Sequence, residues 1–408
     1  MTYERILKEI KKPNKHLAQR VLQCLVIAVR PLRVEELAEV LAVDFEDVGG
    51  IPRLKPDWWW EEQELALLSA CSSLITIVQT GGSRVVQFSH LSVKEYLTSS
   101  RLATASREVS NHHIDLEPAH TILAQACLGI LLQIQDDVDG HTPEDHPLAR
   151  YAAEHWTTHA QFGASSCLHK GMEYLFDANK PHFKVWLTLC DIDTWPDFGA
   201  TFFSFAPTGK SPAAPVYYAA LCGFHDLVEH LITKHPQDVN ADGGCYMRPL
   251  VAALAGEHFQ TANLLVHNGA DLDVRGIYGR IPLHSAAFSG NFEVVRILIE
   301  YDPAYVHARD GVGSTPLHWA SESRYFKDGY ILRLLLEHDA DLNAQDQMGR
   351  TPLHWASYSG ALEVVRLLLE LGANAQAKGN DRMTALQEAA YRGRDEIVKL
   401  LREHGVKY

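Results

Sequence analysis

The chain is short of several things, and each absence removes a class of function. It has seven cysteines (Cys24, Cys71, Cys127, Cys167, Cys190, Cys222 and Cys245), at least 23 residues apart and with no C-x-x-C pair. Such a scattered, odd-numbered set is neither a disulfide framework nor a zinc site. Cys24, Cys127 and Cys222 sit among alanines, leucines and valines, as small buried apolar residues do. A reduced, intracellular protein is expected, cytoplasmic with a nuclear pool left open. Apolar runs of about 20 residues are missing, and so is a signal peptide's apolar centre near the start. Positive charge is also scarce. The 37 Lys and Arg against 51 Asp and Glu leave a net charge of −14, which argues against a general role on nucleic acid or anionic membrane. The first twenty residues are the exception, with Arg5, Lys8, Lys11, Lys12, Lys15 and Arg20 against Glu4 and Glu9. They read more simply as the solvated face of a helix than as a basic arm.

What is present is an ordinary globular composition, 46% hydrophobic and 22% charged, in 408 residues, enough for two or three domains. The second half repeats itself. Ile281-Pro-Leu-His284, Thr315-Pro-Leu-His318 and Thr351-Pro-Leu-His354 recur, with weaker copies at Pro215, Arg248-Pro-Leu250 and Thr384-Ala-Leu-Gln387. The markers Pro215, Pro249, Pro282, Pro316, Pro352 and Ala385 step by 34, 33, 34, 36 and 33 residues. The long step holds extra residues in Ser323-Arg-Tyr-Phe-Lys-Asp-Gly329. Six units of this length with T-P-L-H resemble the ankyrin repeat.

Each part of the unit has a physical task. Proline suits the first helical turn, where its missing N–H costs nothing, and the preceding threonine suits the cap. Gly290 and Gly360 fall where a left-handed residue can end a short first helix. Val294, Val295, Leu298 and Ile299, matched by Val364, Val365, Leu368 and Leu369, give each second helix one apolar stripe. Such stripes are buried only by stacking neighbouring repeats. The last helix, rich in Arg394, Asp395, Glu396, Lys399, Arg402 and Glu403, reads as a polar C-terminal cap. His284, His318 and His354 stand one repeat apart, too far to share a metal ion. The ankyrin resemblance gives them a hydrogen bond at the helix start. Trp319 and Trp355 read as packing between first helices.

By the same resemblance, a partner would meet the turn tips and the exposed face of the first helices. Here that surface is expected to comprise Ile277, Tyr278, Arg280, Phe288, Val312, Ser314, Glu322, Gln347, Met348, Arg350 and Tyr358. Tyrosine, arginine and methionine are types that protein interfaces enrich.

Upstream the rhythm changes. Leu17, Val21, Leu25 and Val26 predict one amphipathic helix, Val34, Leu37, Val40 and Leu41 a second, and Leu65 to Leu74 a third. Two apolar strands follow, Leu74–Val78 and Arg84–Phe88, joined by Thr80-Gly-Gly-Ser83. Ser92 with Glu95 reads as a capping box opening a further helix. Three helices and a hairpin are the layout of a winged helix.

Arg30-Pro-Leu-Arg-Val-Glu-Glu-Leu-Ala-Glu-Val-Leu-Ala42 and Phe88-Ser-His-Leu-Ser-Val-Lys-Glu-Tyr-Leu97 resemble the winged-helix segment of fungal NACHT–ankyrin proteins. That segment is named after a GPI inositol-deacylase. Tyr3–Ile10 resembles the helix leaving the NACHT module, while Glu117–Leu123 and Tyr151–Trp156 resemble the helical connector of the same proteins. The resemblance implies a chain that works beside a nucleotide switch. The switch's own loop, G-x-x-x-x-G-K-[ST], does not occur. Gly209-Lys-Ser211 has Ser204 in place of the first glycine, and Pro212 and Pro215 interrupt the helix that would hold phosphate. Nor is there a G-x-S-x-G elbow, since Gly163-Ala-Ser-Ser-Cys167 lacks the closing glycine. No catalytic, cofactor or metal site is therefore expected.

DNA binding is the rival reading, because many winged helices read the major groove. Against it, the third helix opens with Glu61, Glu62 and Glu64, and the wing offers only Arg84. The Trp58–Trp60 run would either cover the winged-helix core or face a NACHT module. The expected fold is mainly α: a remnant helix at 1–13, a winged helix at 14–104, a helical connector with a Pro-rich linker at 105–210, and an ankyrin α-solenoid at 211–408, its first repeat degenerate. The expected function is a non-catalytic scaffold binding a protein partner, without membrane, small-molecule substrate or cofactor. The alternatives are a winged-helix DNA-binding regulator or the output arm of a larger NTPase receptor.

Overall fold

The computed structural model describes residues 2–45, 52–55, 63–134, 146–163, 165–190, 192, 213–276, 279–323 and 329–406. Trp58–Trp60, Gly209–Ser211, Ile277, Tyr278 and residues 324–328 of the insertion lie outside them. The chain divides into two compact units, Met1–Trp195 and Pro196–Tyr408.

The first unit opens with helix Thr2–Glu9 and then builds a winged helix from Lys15–Ile27, Val34–Leu41 and Gln63–Cys71. Leu32–Arg33 (β1) lies before the second of these helices, and the short pair Val43–Asp44 (β2) and Arg53–Leu54 (β3) follows it. Ile75–Thr80 (β4) and Ser83–Phe88 (β5) form the wing, and the sheet order is β1-β5-β4. The strands meet at Thr80↔Ser83. Gly81 and Gly82, at φ 57° and 86°, make the two-residue turn whose twist matches that of the strands. The next helix, Leu91–Leu97, is not capped as expected. Its N-cap is His90, whose Nδ1 accepts from Ser92 N at 3.2 Å. Ser92 thus lies inside the first turn.

Four longer helices complete this unit: Leu116–Leu131, Ala149–Phe162, Ser165–Leu175 and Pro181–Leu189. They pack around an aromatic core in which the Trp156 and Trp186 rings are 5.5 Å apart and those of Phe176 and Trp186 5.4 Å. Trp186 is fully buried and donates from Nε1 to Ala153 O at 3.1 Å. Trp186→Ala is expected to destabilise this unit by about 3–5 kcal/mol in chemical denaturation, through the cavity and the orphaned carbonyl.

Two buried carboxylates tie the winged helix to these helices. Glu36 and Glu39, on Val34–Leu41, are both wholly buried. Glu36 accepts from Arg30 (2.7 and 2.8 Å), from Arg33 Nε (3.0 Å) and from Arg33 N (2.7 Å). Arg33 donates onward to Pro147 O at 2.9 Å. Glu39 accepts from Leu148 N at 2.6 Å and contacts His146 Nδ1 at 3.0 Å. Gly129 gives the same join its closeness, since a Cβ there would come within 2.8 Å of Pro52 O.

The described residues of the second unit form six helix pairs. The first helices are Pro215–Leu221, Pro249–Ala255, Pro282–Ser289, Pro316–Glu322, Pro352–Ser359 and Ala385–Tyr391. The second helices are His225–Lys234, Phe259–His267, Phe292–Tyr301, Tyr330–Glu337, Leu362–Glu370 and Asp395–Glu403. Successive first helices stack on one another along the array. Proline opens five of them, and Gly290 and Gly360 end theirs at φ 81° and 90°. The apolar stripes of the second helices are buried, as Val294, Val295, Leu298 and Ile299 show. The last second helix keeps the pattern, with Ile397, Val398, Leu400 and Leu401 buried beneath its charged face.

Candidate functional site

The array is pinned at the start of each first helix. His318 Nδ1 accepts from Thr315 N at 3.1 Å and lies 2.9 Å from Thr315 Oγ1, while Nε2 donates to Arg350 O in the next turn at 3.0 Å. His354 repeats this with Thr351 and Met383 O, and His284 with Ile281 N and Ser314 O. Each ring therefore bridges two repeats as the neutral Nε2–H tautomer, and no ring nitrogen is left over for a metal. The threonine hydroxyls differ from expectation: Thr315 and Thr351 face the histidine ring, and Thr384 alone of these takes a backbone N–H, from Gln387 at 3.4 Å. Burial lowers the pKa of His284 and of His318 to about 4, and lowers that of His354 as well.

The turns between repeats are held by a second device. Asp346 Oδ1 accepts from Met348 N (2.8 Å) and Arg350 N (2.9 Å), while Oδ2 accepts from Trp355 Nε1 (3.1 Å) and Arg350 Nε (3.0 Å). Asp310 does the same for the preceding turn, taking Val312 N, Ser314 N and Trp319 Nε1. The Arg280 guanidinium lies 3.8 Å from the Trp319 ring centre. Trp319 and Trp355 are buried with ring centres 5.4 Å apart, which makes them packing between first helices. A carboxylate nine residues before a tryptophan was the available signal in the sequence for this clamp.

On this frame the expected contact residues separate. Val312 (44% exposed) and Met348 (57%) project from the clamped turns, with Gln347 exposed beside Met348. Phe288, Glu322, Arg350 and Tyr358 are half-buried along the first helices and their approaches, and Arg280 likewise. Phe288 leans on Trp319 at 5.7 Å. Glu322, Arg350, Trp355 and Tyr358 border one shallow recess with His354. Ser314 is a correction: it is wholly buried, its N–H held by Asp310 and its carbonyl by His284, so its side chain does not reach the surface. Ile277 and Tyr278 lie outside the described residues.

Three exposed cations in the last repeat were not among the expected contact residues. Arg392 sits over the Tyr358 ring at 3.9 Å and donates to its hydroxyl. Arg394 donates to Ser359 O at 3.1 Å. Arg382 occupies the turn position that Gly279, Gly313 and Gly349 fill in the preceding repeats, and it adopts the same left-handed backbone, φ 66°. For a non-glycine residue that conformation costs on the order of 1 kcal/mol. The alignment of Arg382 with three glycines is the signal that could have found it.

In the first unit the wing's Arg84 is engaged by Glu35 and Glu64, each at 2.9 Å. No described helix is long and apolar enough to cross a membrane.

Comparison with known proteins agrees with this geometry. The model of the GPI inositol-deacylase winged helix domain matches residues 3–107. The model of ankyrin repeats in three copies matches overlapping stretches from 216 to 408. The azaphilone pigments biosynthesis cluster protein L of Monascus ruber is 30% identical over 286 residues, 66% of this chain and 59% of that protein. The ankyrin repeat protein nuc-2 of Neurospora crassa is 28% identical over 129 residues, 32% of this chain and 12% of its own length. The ankyrin repeat and SOCS box protein 5 of Oryctolagus cuniculus is 32% identical over 127 residues, 31% of this chain and 36% of its own. The chain thus spans less than two thirds of each of these relatives. Ankyrin repeats are an interaction fold, so a role in protein interaction follows, and the chain is a winged-helix domain of the GPI inositol-deacylase type followed by an array of ankyrin repeats.

Proposed function

We propose that the chain is a non-catalytic scaffold in NACHT-type intracellular sensing or signalling, holding a protein partner on the inner surface of repeats three to six. The observation that carries this reading is the pair of aspartate clamps. Asp310 and Asp346 each fix a turn from inside, so Val312 and Met348 stand out on a frame already ordered before any partner arrives. Little ordering entropy is then lost on docking. The cytoplasm is the compartment that suits seven scattered cysteines, five of them buried. The resemblance to NACHT–ankyrin proteins supports the signalling context.

DNA binding by the winged helix is the second reading. It is disfavoured by Arg84, whose guanidinium is neutralised by two carboxylates on the face a phosphate would approach.

The test is affinity capture from native extract with the full chain and a Met348→Ala, Tyr358→Ala variant. Arg350 is left alone because it holds Asp346. A protein retained by the parent and lost with the equally stable variant is the expected result. The same proteins on both would place the partner elsewhere.

A further inference from the structure

The last two repeats have a charge balance that the chain as a whole does not. Residues 345–408 carry nine lysines and arginines against eight aspartates and glutamates, while the chain's net charge is −14. The exposed balance shifts further toward positive, because two of the eight acids are buried. Asp346 is buried under Arg350 and Trp355, and Glu388 is buried. Lys378, Arg382, Arg392 and Arg394 are exposed, and among the described residues none of them has a carboxylate within ion-pair distance.

Arg382 sharpens the point. Its three counterparts are glycines, and the left-handed turn would be less strained with a fourth. A strained cation on an exposed tip serves something other than the fold. Met348, whose carbonyl accepts from Asn380 N at 2.8 Å, and Tyr391, 79% exposed and 5.9 Å from the Arg392 guanidinium, add apolar surface that suits side chains rather than a phosphate backbone. The negative excess in the rest of the chain would also repel a long polyanion more than a short peptide.

We infer that the last two repeats dock an acidic segment of the partner protein, its carboxylates pairing with Arg382, Arg392 and Arg394 and its apolar side chains meeting Met348 and Tyr391. This rests on the docking reading above and names the partner's chemistry.

The experiment uses the full chain to select from a random twelve-residue display library. The enriched peptides are expected to carry an excess of Asp and Glu. The best of them, synthesised, should bind an Arg382→Gly, Arg392→Gln variant about tenfold more weakly, and should weaken with salt. Arg382→Gly alone should melt no lower than the parent. The inference is overturned by neutral or basic enrichment, by unchanged affinity in the double variant, or by a clear loss of stability in Arg382→Gly. Tighter binding of a twenty-nucleotide single strand at the same salt would overturn it too. Neutral peptides that still depend on Met348 and Tyr358 would sink the acidic inference and leave the docking reading standing. No enrichment at all would count against both.

Discussion

Glu36→Ala is expected to destabilise the first unit by about 3 kcal/mol, far more than a helix-surface glutamate should cost. Its carboxylate is wholly buried and takes four hydrogen bonds, two from Arg30 and two from Arg33. Removing it strands the Arg33 N–H and loosens Arg33 from Pro147, so the winged helix loses part of its seam with the helices beyond. The arginine heads are about one third exposed and can recover some hydration, which keeps the loss at the low end for a buried pair. Burial alone would raise the pKa of Glu36. The bonds from Arg30 and Arg33 outweigh that and hold it below the ordinary carboxylate value. The contribution is therefore full above the unfolded carboxylate pKa and fades as pH falls through the folded one. Chemical denaturation of parent, Glu36→Ala and Glu36→Gln checks this, with glutamine expected to retain part of the loss. A cost below about 0.5 kcal/mol for alanine would mean the seam is held elsewhere.

The second large effect is acid unfolding of the repeats. His284 and His318 are held neutral, with pKa lowered by burial from 6.5 to about 4. A histidine whose folded pKa lies below its unfolded one stabilises the fold above pH 6.5. That stability is lost as pH falls from there towards 4, because the unfolded chain takes up the proton first. The shifts correspond to roughly 3 kcal/mol for each ring, and His354 adds in the same direction. Thermal melting of residues 213–408 within the full chain is expected to be level above pH 7 and to fall steeply between 6.5 and 4. His318→Gln should flatten that fall while lowering the melting point at neutral pH, since glutamine can keep the bond to the preceding threonine N–H, as Gln387 does with Thr384, but loses the bridge to Arg350 O. A parent melting curve flat through this window would refute the neutral, repeat-bridging assignment.

The repeats were legible because their physics is local. Proline and the following glycine act within one helix, and histidine caps that helix before its ring reaches the next turn, so the sequence pattern marks the helix starts at Pro282, Pro316 and Pro352. The contact surface was legible in outline only. Ser314 and Arg350 hold equivalent positions, yet Ser314 is buried beneath its clamp while Arg350 reaches the surface recess, a distinction set by side-chain length. Glu36 and Glu39 look like a solvated helix face, for nothing near them signals burial. The partners of Glu39 at His146 and Leu148, and the Pro147 carbonyl that Arg33 reaches from beside Glu36, are more than a hundred residues away. The cap at His90 was missed because the serine–glutamate spacing two residues later offers a better local motif than the one the tertiary fold adopts.

The central claim is that the inner ankyrin surface holds the partner. Amide hydrogen exchange of the full chain, with and without the captured protein, tests it most directly. Protection confined to the turns around Val312, Met348 and Arg382 and to the first helices that follow them is the predicted result. Protection of the wing at Ile75–Phe88 or of Leu116–Phe162, with those turns unchanged, would contradict it.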